Sequence, residues 1–297
     1  MKKIILSIII VFSFLFFLSR IDFQTLDSDV EIVVTTNHLG EIVNSLLQGT
    51  EVKVSTLFNY GVDPHLYTLS FSDLNLINNS KLVIASGLHL EASMYEGLKN
   101  LDGSKDVLFV GDLLPTSQLI QVSDIEPKYD PHFWFDLDLL SISVDIVSQK
   151  LKSEFPSHSD TIEANLQSFN TELALLQKEI DSIDKSNFKH LVTTHDAFSY
   201  LSRELDFELK TLIGVNTNSD FTQFEMNKLK DYIKENNILK IFSETTFDPK
   251  PLIKLQQSLN RDQHEVEIVP GLLGDSMLSD QSFFDFYRHN LNLLYEK

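Results

Sequence analysis

Short apolar, β-branched runs alternate along this chain with segments whose apolar residues recur at helical spacing. "EIVVTT" (31–36), "VKVSTLF" (52–58), "KLVIAS" (81–86) and "VLFV" (107–110) read as strands, with the amphipathic pieces "LGEIVNSLLQG" and "FSDLNLINNS" between them. The rhythm resumes after residue 186. There "HLVTT" (190–194), "FELKTLIG" (207–214), "ILKIFSE" (238–244) and "EVEIVP" (265–270) read as strands, and "DAFSYLSREL", "FTQFEMNKLKDYIKENN" and "DPKPLIKLQQSLN" as helices. Strands alternating with helices form mostly parallel sheets flanked by helices. The pattern predicts an α/β protein of two lobes with about four strands each.

Between the lobes, Ile162, Leu166, Phe169, Leu173, Leu176, Ile180 and Ile183 follow one another at steps of three and four. This is one apolar stripe on a helix over 157–184, about 40 Å long at 1.5 Å per residue. A coiled-coil seam would show the same stripe, but only about four heptads are present and α/β lobes flank them. The stripe is therefore expected to pack along both lobes of a monomer. The predicted organisation is a first lobe over 30–155, a linking helix over 156–185 and a second lobe over 186–297.

The first twenty residues stand apart. Two lysines precede an unbroken run of apolar and small residues from Ile4 to Ser19, the pattern of a secretory signal. Sixteen residues are slightly short for a spanning helix, yet Phe17 and Leu18 crowd a small-residue cleavage site at Ser19. Residues 1–20 are read as a signal peptide or an uncleaved membrane anchor. Either way the rest of the chain is exported, periplasmic or otherwise extracytoplasmic, and touches the membrane only through this segment.

Composition narrows the function. A net charge of −19 argues against nucleic acid, whose phosphates need clustered Lys and Arg. The absence of cysteine removes disulfides, thiolate metal sites, cysteine nucleophiles and a lipidated amino-terminal Cys.

The nine histidines carry the chemistry. "GVDPHLYTL" (61–69) and "KYDPHFWFD" (128–136) each set a His directly after an Asp-Pro pair, which fixes a stiff turn. His65 and His132 are thereby held on loops at element starts. His195, in "LVTTHDAFSYL", follows a strand and opens a helix, where an α/β lobe faces its ligand crevice. Asp275, in "PGLLGDSMLSD", follows the last strand in a Gly-flanked loop. Taken singly, each has an ordinary use as a turn, cap or loop residue. Together three imidazoles and one carboxylate suit Zn²⁺, and also Mn²⁺ or Fe²⁺, one ion per chain in the cleft between the lobes. His38 is not expected to be a ligand. His89, His158, His190, His264 and His289 are expected to face solvent.

In order along the chain, "VVTTNHLGEIV", "GVDPHLYTLSFSDL", "SGLHLEASM", "DPHFWFDLD", "TTHDAFSYL", "IFSETTF" and "GDSM" resemble the zinc- and manganese-binding proteins of ABC importers. The likeness spans 31–297. It implies two α/β lobes bridged by a long helix, with one metal held by His65, His132, His195 and Asp275 and with Glu244 near the cleft. It also implies delivery of the metal to an ABC permease. Two departures matter. The stretch "PTSQLIQVSDIEPKYD" before the second Asp-Pro-His lacks the His-rich loop of many zinc-specific members. Manganese-preferring members tend to have Glu where this chain has His195, so nitrogen-rich ligation favours zinc.

An exported zinc-dependent hydrolase is the rival class. It would need an open coordination position and a general base. Four protein ligands close the shell and no His-Glu-x-x-His helix is present, leaving only Glu244 or Asp63 as a base. A surface adhesin finds no positive support in the sequence. The reading is a solute-binding protein, not an enzyme.

Overall fold

Ile32, Val33 and Val34 are fully buried and form the first strand, β1 (Ile32–Val34), at the centre of a parallel sheet. A computed structural model of the chain describes residues 30–101, 105–124, 128–215, 217 and 221–295. The leader reading falls on residues 1–20, outside the described residues. β1 pairs on one side with β2 (Val54–Thr56) and on the other with β3 (Leu82–Ala85), which in turn pairs with β4 (Asp106–Phe109). The order is β2-β1-β3-β4, with Ile32 opposite both Val54 and Leu82. Helices α1 (Asn37–Leu46), α2 (Phe71–Asn79) and α3 (Ser93–Lys99) connect them. Thr36 caps α1 by accepting the Leu39 amide, so the chain turns into helix three residues after β1 ends. Ser70 and Asp73 close a reciprocal capping box on α2.

The eight predicted strands all exist. The second four differ from the expected single sheet. β5 (His190–His195) pairs with β6 (Glu208–Ile213), and β7 (Lys240–Glu244) pairs with β8 (Glu267–Leu272), all parallel. β5 and β7 lie side by side without a registered ladder among the described residues. At that seam the His195 amide donates to the Glu244 carboxylate instead of to a strand carbonyl, and the β7–β8 register shifts between Ser243 and Glu244. Helices α6 (Ser199–Leu205), α7 (Gln223–Glu235) and α8 (Lys250–Arg261) cover these strands.

The linking helix is shorter than predicted. A 3₁₀ turn at Pro156–His158 precedes α5 (Ser159–Asp181), and Lys185–Asn187 forms another 3₁₀ turn. The stripe is buried from Ile162 to Ile180, with Ile183 only partly covered. It packs against α1 and α4 (Leu137–Glu154) on the first-lobe side and against α9 (Phe283–Tyr295) on the other. Both lobes thus share one apolar core along this helix. Sequence reasoning passed over α3, α4 and α9. In α4 the buried face includes Ser143 and Ser148, which interrupt its apolar period.

Candidate metal centre

Each Asp-Pro-His loop folds in the same way. Asp63 Oδ1 accepts the His65 amide at 2.8 Å, and Asp130 Oδ1 accepts the His132 amide at 2.9 Å. A carboxylate bonding the backbone two residues on makes an Asx turn, and the intervening Pro pre-sets φ for it. The motif recurs because it aims an imidazole from a rigid turn. His195 is the last residue of β5, and Asp275 follows β8 in a tight loop. A Cβ on the preceding Gly274 would lie 2.9 Å from Glu244 Oε2 and 3.1 Å from Ala197 Cβ, so only glycine lets that loop approach so closely.

All four residues named from the sequence converge. The side-chain ligand atoms of His65, His132, His195 and Asp275 lie within 4.8 Å of one another, and all four residues are buried. His65 Nε2 is 3.4 Å from His132 Nε2 and 3.9 Å from Asp275 Oδ2. Asp275 Oδ1 is 2.9 Å from His132 Nε2, and Oδ2 is 3.4 Å from His195 Nδ1. Among the described residues, neither Asp275 oxygen, nor His195 Nδ1, nor Glu244 Oε2 has an aligned hydrogen-bond partner. Buried polar atoms without partners are costly, and two of the residues that carry them, His195 and Asp275, belong to the one cluster. A divalent cation held by the four clustered residues would satisfy the Asp275 oxygens and His195 Nδ1.

Surrounding groups fix the ring orientations. His132 Nδ1 donates to Asp130 Oδ1 at 2.7 Å, which leaves the Nε2 lone pair pointing at the cluster. His195 Nε2 donates to the Val215 carbonyl at 3.3 Å, turning Nδ1 inward. Glu244 Oε1 holds the β5 end by accepting from Thr193 Oγ1 at 2.9 Å and from the His195 amide at 3.0 Å. Glu244 therefore lies where the family resemblance implied, as a group that orients His195.

Electrostatics sort the imidazoles. Burial pushes the His65 ring down to about 3, with Asp275 opposing the fall. Burial also disfavours a charged His132, but Asp130 and Asp275 outweigh it and carry the ring up to about 10. His195 is raised in the same sense, because Asp275 and Glu244 outweigh burial. Burial opposes ionisation of Asp275, yet His195 and His132 hold its carboxyl well below the usual carboxylate range.

The remaining histidines correct the sequence reading in part. His38 is outside the four-residue group, as expected, but it is buried, with both ring nitrogens unpartnered among the described residues. It stacks on Trp134 at 4.6 Å, and Trp134 meets the His132 ring edge-on at 5.3 Å. The other five are half-buried and not simply solvent-facing. His190 bonds Tyr232 Oη, His264 donates to the Ile238 carbonyl and His289 to the Gly271 carbonyl. His158 lies 3.5 Å from Glu51, and the His89 ring lies 4.0 Å from that of Tyr95. The supporting role of Asp130 went unread, although the Asx-turn preference of Asp before Pro was an available signal.

Residues 32–297 match the family described as zinc-uptake complex component A, periplasmic. The zinc-binding protein TroA of Treponema pallidum (strain Nichols) is 32% identical over 271 residues, covering 89% of this chain and 87% of that protein. The manganese-binding lipoprotein MntA of Bacillus subtilis (strain 168) is 29% identical over 279 residues, covering 91% of this chain and 90% of the relative. The solved structure of the periplasmic zinc-binding protein TroA from Treponema pallidum superposes with a TM-score of 0.84 at 30% identity, covering 90% of this chain and 98% of that one.

Proposed function

Because the chain belongs to the family of periplasmic zinc-uptake component A proteins, we propose that it captures one divalent transition metal outside the cytoplasmic membrane and delivers it to an ABC permease. Zinc is the metal we assign. The observation that carries this reading is the buried convergence of His65, His132, His195 and Asp275, whose ligand atoms lie within 4.8 Å of one another. Three imidazoles and one carboxylate are a donor set suited to Zn²⁺, and nitrogen ligands favour it over Mn²⁺. The similarity to a manganese-binding relative supports Mn²⁺ as the second reading.

A binding role fits better than hydrolysis. Glu244 Oε1 is engaged by Thr193 and the His195 amide, and Asp63 is engaged by the His65 amide and by Thr217 Oγ1. Both oxygens of Asp63 are thus taken, and Glu244 is committed through Oε1 to holding His195, with only Oε2 unpaired. Export rests on the leader pattern, and among the described residues no helix is long and apolar enough to cross a membrane.

Native mass spectrometry with elemental analysis, on protein purified from its own envelope, tests the proposal. One zinc per chain supports it, and loss of that zinc in His65→Ala ties it to the cluster. Protein that carries no transition metal and takes up none on addition would contradict it.

A further inference from the structure

A buried hydrogen-bond network crosses between the lobes immediately beside Asp275. Asn37, the first residue of α1, donates from Nδ2 to Ser276 Oγ at 2.9 Å and accepts the Met277 amide on Oδ1 at 3.1 Å. The Gly61 amide, four residues ahead of His65, donates to the same Ser276 Oγ at 2.7 Å. Ser276 sends its own hydroxyl hydrogen to the Met277 carbonyl at 3.2 Å. Asn37, Ser276 and Met277 are buried. One amide side chain thus uses both its donor and its acceptor on consecutive residues, which no carboxylate or apolar side chain of its size would do.

Asp275 is held from two sides. Before it, Gly274 sits where a Cβ would crowd Glu244, Ala197 and Phe198 of the second lobe. After it, Ser276 and Met277 are bonded to Asn37 and Gly61 of the first lobe. Asn37 and Ser276 are not themselves among the four clustered residues. Other contacts also join the lobes. Phe169 packs on Phe283 and Phe284, Tyr200 Oη donates to the Asp130 carbonyl, and Tyr287 Oη donates to the Phe135 carbonyl.

We infer that Asn37 and Ser276 form an interlobe latch that positions Asp275 against the three imidazoles and so sets how long a bound metal stays. The inference rests on the metal-binding reading above. Asn37 and Ser276 are positioning residues, and their loss should act on release of the metal more than on the fold.

The test compares wild type, Asn37→Ala, Ser276→Ala and the double variant, each loaded with Zn²⁺ and mixed with excess chelator in a stopped-flow instrument. Each single variant is expected to release zinc roughly 3–30-fold faster, the effect of losing a buried hydrogen bond beside the site. The double variant should fall short of the product of the two, because the residues share one network. Visible bands of the Co²⁺-loaded variants should also move, a signature that a purely structural role would leave alone. Release rates and Co²⁺ bands equal to wild type would overturn the latch while leaving the metal site standing. Wild type that takes up no metal would overturn both. Should the variants fail to fold, amide exchange of Met277 in the unmodified protein decides: zinc is expected to slow it, and exchange unaffected by bound zinc would overturn the latch.

Discussion

Asp130 Oδ1 accepts two hydrogens from one residue, the His132 amide at 2.9 Å and the His132 ring Nδ1–H at 2.7 Å. The same oxygen therefore shapes the turn and selects the tautomer, leaving Nε2 as the atom 2.9 Å from Asp275. A buried carboxylate behind a ligating imidazole also raises its basicity.

Replacing that acid should consequently weaken metal binding without touching the metal. Asp130→Ala is expected to lower zinc affinity roughly 10–100-fold. Asp130→Asn, which keeps an acceptor but not the charge, should lose less. Calorimetric titration of both variants checks the order, and unchanged affinity in Asp130→Ala would remove Asp130 from the account.

Metal and proton compete for the same lone pairs, so affinity should depend on pH. His132 is raised from 6.5 to about 10 in the metal-free protein by Asp130 and Asp275 acting against burial, and His195 is also raised. The proton on His132 stabilises the metal-free fold fully below 6.5, and that contribution is lost as pH rises through about 10. Zinc must displace this proton, so its affinity should climb across the same window, by up to about tenfold per pH unit for each proton released. Thermal melts with and without zinc between these limits should show the gap in Tm widening as pH rises. A gap that stays constant would contradict the assignment of His132 as a protonated ligand.

The sole tryptophan offers an optical readout. Trp134 is buried between His38 and His132, 5.3 Å from the latter ring. Fixing His132 on a cation should change the intensity or wavelength of its emission at one metal equivalent. A titration that saturates without any change would show that Trp134 does not sense the site.

Much of this was legible in the sequence because local chemistry determined it. The alternating β-branched runs gave all eight strands, and the stripe from Ile162 to Ile180 gave the buried face of the long helix. The paired Asp-Pro-His turns drew attention to two of the four clustered residues, and the case for them rested on His195 and Asp275 falling at sheet edges as well. What stayed hidden depends on contacts distant in sequence. Asn37 and Ser276 are ordinary polar residues until the fold brings them together. The break between β5 and β7, where the Glu244 side chain takes the His195 amide, is not encoded in any periodicity. Likewise α4 was missed because Ser143 and Ser148 lie on its buried face, with Ser143 Oγ bonding the Leu140 carbonyl.

Selectivity should be tunable at His195. Exchanging its nitrogen for a harder carboxylate oxygen is expected to lower zinc affinity more than manganese affinity, whereas Asp275→Ala should weaken both. Competition titrations of wild type, His195→Glu and Asp275→Ala in one buffer check this. An unchanged zinc-to-manganese ratio in His195→Glu would mean that His195 does not ligate the metal.

X-ray absorption at the zinc edge, on protein loaded with one equivalent, reads the metal's neighbours without a mutation. The account expects imidazole scattering from three histidines with Zn–N near about 2.0–2.1 Å, together with carboxylate oxygen. A shell of oxygens with fewer than three imidazoles would contradict it.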